Sequence, residues 1–597
     1  MNKTICEIIR QNEQNYITGI TTISKYVQFD MWENINKIEA YLNSKHVSGE
    51  SDSLGREKPF FDIGTAACNI WYRATDIDRK DIRIKATKSS DIFLAFLATI
   101  HLQDYMRNDN FGVFLNDWGL SLARYGSSVL KFIESEGKLH AMVMAWNRLI
   151  VDPVDFDSNP VIEVLELTPA QLKKRKGYDQ EMVEGLLQTV TSRTLMDKQK
   201  VDNRNDFIKL YEIHGELPLS LLTDDENDSN TYVQQMHVVS FVAKKDGGYD
   251  DFTLVKGKET ISPYMITHLI KEDGRTMAIG AIEHLFQAQW MQNHTVKAIK
   301  DQLDLASKLI FQTSDGNFVG QNALSAIENG DILVHNNGEP LTQLANNSHD
   351  IGSLQSFGNQ WKALAQEITS TPDVLSGTTL PSGTAYRQAA ILQQESHSLF
   401  EIMTENKGLS IEEMMRKFII PHIKKQMDTT DEIEATLDAQ KLVQIDSVYV
   451  PNEAIRRSNN SIKESILNGE IAEQPDLQSL QQEVKGELQK QGNQRFFKPS
   501  DISDKTWKEL FKDIEWNLEV EVTNEQSNKE VVLSTLNTVL QTVATNPAVL
   551  NDPNMKMLFS KILETTGAVS SVELSTIQNQ PVVSSIKPEE KTSQVEA

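Results

Sequence analysis

The sequence predicts an α+β protein that is mainly helical, and three observations support this fold class. Residues 276–405 contain a long polar helix pattern, a turn-rich insert, a second helix, a loop rich in Pro, Gly, Ser and Thr, and a third helix. Apolar and polar residues alternate in 125–153 and 205–270, as they do in half-buried strands. No catalytic signature accompanies these segments, so the order of elements indicates a shaped scaffold and not a substrate pocket.

Length and charge narrow the class of protein further. The chain has 597 residues, which is too many for a single hydrophobic core and predicts several modules. It carries 59 Lys and Arg against 84 Asp and Glu, a net charge of −25. A surface this acidic repels nucleic acid at long range, so any contact with DNA should be loose or made through local basic rings. The two cysteines, Cys6 and Cys68, are too few for a disulfide framework and are typical of a reducing cytoplasm.

Several other classes lack their sequence signatures. No apolar run approaches the roughly 18–20 residues that a membrane span needs, and the polar N-terminus does not resemble a signal peptide. The chain contains no P-loop, no dinucleotide-binding glycine pattern, no HExxH and no GxSxG. We therefore expect no membrane partner, no cofactor, no metal site and no catalytic residues.

The first 275 residues are predicted to mix helices with antiparallel strands. Residues 1–45 are polar and helical, and 46–58 form a loop. The apolar positions on both sides of the turn at Gly137 predict a β-meander over 125–153. The other elements predicted here are helices over 59–74, 91–109, 111–125 and 168–200 and strands over 205–270.

The first helix of the central region is predicted to run from Thr276 to Phe311. At 1.5 Å per residue it would span roughly 54 Å, which is long for a globular core. Its apolar residues recur at spacings of three and four and predict a seam against a neighbouring helix. The seam residues are Val296, Ile299, Leu303, Ala306 and Ile310.

The insert and the second helix follow. Residues 312–349 are turn-rich, with a short strand at 331–335 and an Asn-Gly hairpin signal ending at Gly338. The second helix is predicted over 350–371, with Ser348 as its N-cap and Pro372 ending it. One face of this helix is apolar and consists of Ile351, Leu354, Phe357, Trp361, Leu364, Ala365 and Ile368.

A loop and a third helix complete the central region. The loop 372–384 is flexible by composition, and the third helix is predicted over 385–407, stopping at Gly408. Ser410 with Glu413 predicts a capping box for a separate helix, which Pro421 should kink or break. The later predictions are helices over 430–493, a half-buried strand at Trp516–Val522, helices opening at Ser527 and covering 554–566, and a disordered tail from about Ser570.

Two acidic clusters are the remaining candidates for chemistry. Asp152, Asp155 and Asp157 lie close together in sequence, and Asp155 and Asp157 would share one face of an extended segment. They predict either a metal site or a charged strand edge, and the second is the more common situation. The cluster Asp246, Asp250 and Asp251 lacks the EF-hand spacing and indicates a solvated hairpin turn. His284 and His294 are ten residues apart on the first helix and suit ordinary packing roles.

Three lysines on the first helix have two interpretations. In a single chain, Lys297, Lys300 and Lys308 would form a solvated face with Asp301 and Asp304 as partners. In a ring of parallel helices, each lysine would instead become a ring of positive charge facing a channel.

This order of elements resembles that of the portal (head–tail connector) proteins of tailed bacteriophages. In that family a stem helix leads into an α/β clip, and a second stem helix, a tunnel loop and a long wing helix follow. EDGRTMAIGAIEHLFQAQWMQN resembles the start of the first stem helix, and ITSTPDVLSGTTLPSGTAYR resembles the stretch from second stem to wing helix. YGSSVLKF and NRLIVDP resemble the wing of portals from short-tailed, podovirus-like phages, with crAss-like phages as one group to consider. The resemblance is best over residues 55–430.

The resemblance implies a division of the chain into portal regions. The N-terminal helical segment would be 1–55, the wing 56–275, the first stem helix 276–311, the clip 312–349, the second stem helix 350–371, the tunnel loop 372–384, the wing helix and second wing part 385–525, the crown helices 526–569 and the tail 570–597. The tunnel-loop residues would be Asp373, Val374, Leu375, Ser376, Gly377, Thr378, Thr379, Leu380 and Pro381. Lys297, Lys300 and Lys308 would be the channel-facing residues of the stem.

The resemblance also implies an assembly. The chain would form a homo-dodecamer at one capsid vertex of the virion, after assembly in the host cytoplasm. Double-stranded DNA would pass through it without sequence readout, and its partners would be the terminase motor, the major capsid protein and tail adaptor proteins. Two alternatives stay open: another virion structural protein such as a tail adaptor or scaffold, and a metal-dependent hydrolase that uses Asp152, Asp155 and Asp157.

Overall fold

The two larger sheets of the described chain lie in its first 270 residues. The computed structural model describes residues 4–18, 29–77, 79, 82–85, 92–135, 137–196, 207–223, 230–244, 248–306, 311–312, 342–343, 351–371, 386–426, 433–436, 439–468, 476–490, 494–497, 507–512 and 517–520. All of these belong to the first of two compact units, Met1–Val522, whereas the second unit, Thr523–Ala597, lies outside the described residues. Helices and antiparallel strands occur together in it, as expected for the α+β class.

The bounds of the elements are as follows. The helices are α1 (Ile5–Ile17), α2 (Met31–Leu42), α3 (Gly64–Ala74), α4 (Ile92–Asn108), α5 (Phe111–Tyr125), α6 (Pro169–Lys174), α7 (Gln180–Met196), α8 (Ser220–Thr223), α9 (Ala281–His284), α10 (Phe286–Ala306), α11 (Ile351–Ile368), α12 (Tyr386–Met414), α13 (Ile420–Gln426), α14 (Ala439–Leu467), α15 (Leu477–Lys490) and α16 (Trp507–Lys512). The strands are β1 (Ile82–Lys85), β2 (Ser127–Ser135), β3 (Lys138–Met144), β4 (Leu149–Ile150), β5 (Val161–Leu167), β6 (Ile208–Pro218), β7 (Tyr232–Ala243), β8 (Tyr249–Lys258), β9 (Tyr264–His268), β10 (Phe311–Gln312), β11 (Thr342–Gln343), β12 (Ile433–Thr436), β13 (Gln494–Phe497) and β14 (Asn517–Val520).

The predicted meander is divided between two sheets. Strands β2 and β3 form the expected hairpin, in which Ser135 pairs with Lys138, and β9 pairs with the other edge of β2. Strand β4 instead joins the five-stranded sheet β4-β5-β6-β7-β8. The chain changes sheet at a 3₁₀ turn that begins at Trp146, whose buried indole donates a hydrogen bond of 3.2 Å to the carbonyl of Ser127. The predicted meander therefore ends after two strands, at the turn that the buried Trp146 holds against β2.

Helices α4 and α5 confirm the helices predicted over 91–109 and 111–125. Helix α5 packs on β2 with a row of buried aromatic and aliphatic residues, and the indole of Trp118 donates to Thr267 Oγ1 at 2.8 Å. Gly126 ends the helix with φ +73°, and a Cβ there would lie 2.6 Å from the carbonyl of Ile279. Glycine suits this position for two reasons. It adopts the left-handed conformation without steric cost, and it has no Cβ that would clash with the neighbouring backbone.

The third helix of the central region continues well past its predicted end. Helix α12 runs through Gly408 and Ser410, so the predicted stop and the predicted capping box are both wrong. The hydroxyl of Ser410 donates to the carbonyl of Asn406 at 2.9 Å, one turn back within the same helix. The helix then forms a π-helical turn over Met415–Ile419 and continues as α13. Pro421 explains this turn, since proline lacks an N–H and its ring would clash with the carbonyl four residues earlier.

Residues beyond 430 return to the front of the chain. Strand β14, which includes Leu518 and Val520 of the predicted half-buried strand, pairs with β1. Strands β12 and β13 pair with each other, and the chain between them forms the helices α14 and α15. These two helices agree with the helices predicted over 430–493. Helix α14 contains Pro451, and its polar residue Arg457 bridges to Glu487 of α15 at 2.7 Å.

Several predictions fall outside the described residues. They are the strand at 331–335, the hairpin turn at Gly338, the N-cap Ser348, Pro372, the loop 372–384 with all nine of its named residues, Trp516, Val522, the helices after Ser527 and the tail from Ser570.

Candidate assembly surface on helices α10 and α11

The segment before α9 is irregular and contains a bend at Thr276 and Met277, so the helix predicted from Thr276 begins later. The backbone N–H of Thr276 donates to the carbonyl of Pro153 at 2.8 Å, and its hydroxyl donates to the carbonyl of Asp152 at 2.5 Å. The N–H of Ala278 donates to Ser127 Oγ at 2.7 Å. These donors bind distant parts of the chain and are unavailable for helix formation. The helix begins as α9, is interrupted at Leu285 and continues as α10, while Phe311 belongs to a strand.

The first half of α10 buries polar side chains, which satisfy a stretch of irregular backbone. Asn293 Oδ1 accepts from the N–H of Phe61 at 2.9 Å, and Gln289 Oε1 accepts from the N–H of Ile63 at 3.0 Å. Gln289 Nε2 also donates to the carbonyl of Phe61 at 2.5 Å. Backbone groups buried without a partner cost about 1–3 kcal/mol each, so these amides stabilise the chain that leads into α3.

Helices α10 and α11 pack closely at a glycine. A Cβ added at Gly358 would lie 3.3 Å from Thr295 Cγ2 and 3.5 Å from Gln292 Oε1. Gly358 and Ala365 are both buried and are two turns apart, so they share the face of α11 that meets α10. At the end of α11, the carbonyl of Thr369 accepts a hydrogen bond of 2.9 Å from the buried indole of Trp71.

The predicted apolar face of α11 divides into two parts. Ala365 is buried with Gly358, whereas Phe357, Leu364 and Ile368 remain 41%, 40% and 45% exposed. The ring of Phe357 meets the half-buried Trp361 edge-on, with 6.3 Å between centroids. We call Phe357, Trp361, Leu364 and Ile368 the open stripe. Trp361 also packs against the core, and the other three side chains face solvent.

The apolar seam predicted on α10 is also only partly covered. Val296 and Ile299 are half-buried, and Leu303 is 51% exposed, while the polar Gln292 and Thr295 occupy the contact with Gly358. Ile310 and the side chain of Ala306 lie outside what the structure describes, so the seam is seen only over Val296, Ile299 and Leu303. Polar residues share the packing between the two helices with this seam. Polar side chains of α10 are buried where they form hydrogen bonds with neighbouring backbone, in addition to the apolar side chains that are buried because they are hydrophobic.

An exposed tryptophan lies elsewhere on α10. Trp290 is 56% exposed and stacks on the exposed ring of His294, with 5.7 Å between centroids and 10° between planes. His284, the other histidine singled out from the sequence, is half-buried beside Trp71, and burial lowers its pKa. Neither histidine belongs to a cluster of metal-ligating residues among the described residues.

The three lysines of the predicted channel face differ in their surroundings. Lys297 Nζ lies 2.5 Å from Asp301 Oδ2 and 3.4 Å from Asp52 Oδ2, and Arg56 bridges the same two carboxylates. The hydrogen bond from Lys297 to Asp301 raises the pKa of this lysine. Lys300 is exposed, and Lys308 lies outside the described residues. Two anions and the cation of Arg56 thus surround Lys297, and this cluster of balanced charge has a weak field at a distance.

The structure does not gather the first acidic cluster into a metal site. Asp152 is buried, and its Oδ1 accepts from the N–H groups of Val154 and Asp155 at 2.9 and 3.2 Å. Its Oδ2 accepts from Asn159 Nδ2 at 2.8 Å. The carboxylate therefore holds the turn after β4, and in the described chain no three His, Cys, Asp or Glu side chains are placed to hold a metal ion.

The second acidic cluster is likewise dispersed. Asp250 forms an ion pair with Lys244 at 3.0 Å, and Asp251 lies against the buried thiol of Cys6. Asp246 lies outside the described residues.

One buried pair was not found from the sequence. Ser127 Oγ lies 2.8 Å from His268 Nδ1 and accepts from the N–H of Ala278. Burial lowers the pKa of His268 to about 4. Because Ser127 is fully buried, no substrate reaches its hydroxyl, and the pair joins β2, β9 and the segment before α9. No sequence signal was available, since the two residues are 141 positions apart.

None of the described helices has the length and apolar character of a membrane span.

Comparison with known proteins does not identify a family for this chain. Neither the models of known protein families nor the characterised proteins include a match to this chain.

Proposed function

We propose that this chain is a portal (head–tail connector) protein that assembles into a dodecameric ring at one vertex of a phage capsid. The observation that carries the proposal is the open stripe on α11, together with the helix pair that bears it. Three apolar side chains that share one helix flank and remain about two-fifths exposed suit a surface that another chain covers.

The connection between the two helices supports the same proposal. Strand β10 follows α10, strand β11 precedes α11, and the two strands pair antiparallel. The chain between them therefore leaves and returns at one end of the helix pair, as an insert at the tip of a stem would. We assign α10 and α11 to the stem, 312–349 to the clip and 372–384 to the tunnel loop that precedes the wing helix α12.

The charge of the chain suits a conduit for DNA. A net charge of −25 and the neutralised surroundings of Lys297 leave few strong phosphate contacts, so double-stranded DNA would slide without sequence readout. The ring would act in the virion after assembly in the host cytoplasm. Its partners would be the terminase motor, the major capsid protein and tail adaptors, and it would perform no catalysis of its own.

The first test is the mass and shape of the purified full-length protein. Twelve chains of 67.4 kDa give a ring of about 810 kDa, which mass photometry and negative-stain imaging both detect. Rings with a central hole are expected. A monodisperse monomer, with and without the capsid protein, would contradict the proposal.

A matched pair of variants tests whether the open stripe drives assembly. The triple change Phe357→Ser, Leu364→Ser and Ile368→Ser should abolish rings while the monomer stays folded, because these side chains are already exposed. The control changes two exposed polar residues of the same helix, Gln355→Ser and Lys362→Ser, and should leave the rings intact. Equal ring fractions in both variants would remove the open stripe from the interface.

The tunnel-loop assignment has a separate test. Deleting residues 374–382 should leave the ring intact and impair genome packaging or DNA retention. Loss of the ring itself would show that this segment belongs to the assembly interface and not to a channel constriction.

A further inference from the structure

A groove with an aromatic floor lies beside the first turns of α10. It has a volume of about 560 Å³, and its lining includes Tyr41, Phe286, Trp290 and His294. Tyr41 meets Phe286 edge-on with 5.6 Å between ring centroids, and Trp290 remains largely exposed at the margin. Lys37, Lys58 and Lys297 also line it. We call it the Trp290 groove.

The Trp290 groove and α11 lie on different sides of α10. The residues of α10 that meet Gly358 are Gln292 and Thr295. At 100° per residue, Trp290 is rotated by about 200° from Gln292 and by about 140° from Thr295. Its side chain therefore points away from α11, and the groove faces a different direction from the open stripe.

The groove and the stripe nevertheless lie at the same height along the helix pair. The two helices are antiparallel, because β10 and β11 join the end of α10 to the start of α11. Measured from the contact at Gly358, Trp290 lies about 5 Å and Phe286 about 11 Å towards the start of α10 at 1.5 Å per residue. On α11, Leu364 lies about 9 Å and Ile368 about 15 Å in the same direction.

Two charged residues of opposite sign, Glu367 and Lys58, lie beside the two surfaces. Glu367 is exposed and follows Leu364 by three residues, so it borders the open stripe on its outer side. The other charged residue of this part of the helix, Lys362, is about 160° from Leu364 and lies on the far flank of α11. Of the groove lysines, Lys37 and Lys297 are paired with carboxylates, whereas Lys58 donates to the carbonyl of Gly49 at 2.8 Å. The stripe is thus bordered by the carboxylate of Glu367, and the groove by the ammonium of Lys58.

We propose that the open stripe of one copy of this chain docks in the Trp290 groove of the next copy. A head-to-tail ring needs two different, complementary surfaces on each copy, placed at one height so that rotation about the axis closes without a rise. The open stripe and the Trp290 groove meet this requirement if the helix pair runs along the ring axis. The inference rests on the proposed ring and adds the pair of surfaces that builds it.

Cysteine cross-linking in the full-length ring tests the docking directly. Gln287 is exposed in the groove, at a height of about 10 Å from the contact at Gly358, which matches Leu364. Oxidation of the double variant Gln287→Cys, Leu364→Cys should give a ladder of covalent multimers on a non-reducing gel. Each single variant should give none, because the native Cys6 and Cys68 are buried.

The matched control moves one cysteine along the same helix. Lys300 is exposed but lies about 19 Å from the height of Leu364, so Lys300→Cys with Leu364→Cys should give no ladder. Rings that are seen by imaging but give no ladder with Gln287→Cys would overturn the docking and leave the proposed function standing. Wild-type protein that forms no ring would overturn both.

A charge reversal provides a second readout that does not depend on cross-linking. Glu367→Lys should lower the ring fraction several-fold at low salt, with partial recovery at high salt, because it places a cation opposite Lys58 of the groove. Lys362→Glu, on the far flank, should leave the ring fraction unchanged. Equal effects of the two reversals would show that net charge controls assembly and would overturn the docking.

Discussion

Lys131 of β2 forms a buried ion pair with Glu163 of β5, with 2.5 Å between Nζ and Oε2, and this pair joins the two larger described sheets. Lys131 also lies 2.9 Å from Glu212, whose carboxylate contacts His214 at 2.8 Å, and Tyr264 of β9 donates to Glu163 at 3.0 Å. Substitution of one member of this network should be strongly destabilising, since it leaves the remaining charged groups buried without their partner.

Lys131→Met should therefore destabilise the protein by roughly 3–5 kcal/mol, because Glu163 and Glu212 would lose their shared cation. Denaturant unfolding followed by circular dichroism measures the change. Lys209→Met is the control, since that lysine is 46% exposed in its pair with Glu13 and should cost at most about 1 kcal/mol. Equal losses would show that the buried network contributes no more than a surface ion pair.

His214 should make the stability of this network depend on pH. Burial alone would lower the pKa of His214, but the hydrogen bonds to Glu212 and Glu259 outweigh it and raise the pKa above its usual value. The folded state then binds this proton more tightly than the unfolded chain. The stabilisation is fully present below about pH 6.5 and is lost as the pH rises through the raised value.

The comparison of wild type with His214→Gln isolates this effect. The difference in free energy of unfolding between the two proteins should be larger at pH 6 than at pH 9. A difference that stays constant over this range would contradict the assigned protonation of His214.

Lys407 should produce a change of the opposite sign at higher pH. It is buried in α12, its Nζ donates to the carbonyl of Thr75 at 2.9 Å, and burial lowers its pKa to about 8 against the opposing effect of Asp76. The unfolded chain keeps this proton up to about pH 10.4, so folding becomes more favourable as the pH rises through 8. Relative to Lys407→Met, the wild type should gain about 2 kcal/mol between pH 7 and pH 9.5.

Parallel unfolding measurements at these two pH values check the gain. The exposed Lys362→Met serves as the control and should show no comparable change. If Lys407→Met follows the wild type at both pH values, Lys407 does not titrate in this window.

Gly358 should tolerate no large side chain. Gly358→Leu would push α11 away from Thr295 and Gln292 and should cost about 1–3 kcal/mol, as overpacking of a close contact usually does. Gly486 of α15 offers the contrast, because a Cβ there meets nothing within 4 Å. Gly486→Ala should stabilise its helix by up to about 1 kcal/mol. Thermal unfolding should show a lower melting temperature for Gly358→Leu and a higher one for Gly486→Ala. An unchanged melting temperature for Gly358→Leu would show that the helices are not in contact there.

Elements whose signals are local could be predicted from the amino-acid sequence. Helices α4 and α5 and the β2–β3 hairpin follow from apolar periodicity and from the turn at Gly137, and all of them lie where predicted. The sequence also indicated the order helix, insert, helix and helix in the central region. These signals act over a few residues, so no distant partner was needed to interpret them.

The contacts of each helix face could not be predicted in this way, because they depend on the folded arrangement of distant segments. The amides of Gln289 and Asn293 are buried because irregular backbone at Phe61 and Ile63, more than 220 positions away, needs hydrogen-bond partners. The late start of the first helix depends likewise on the hydrogen bond from Thr276 to the carbonyl of Asp152. The division of the α11 face into a buried and an exposed part depends on the close contact of Gly358 with α10. Burial of a polar group is favourable only when a partner is present, and the partners here come from remote parts of the chain, which no local pattern encodes.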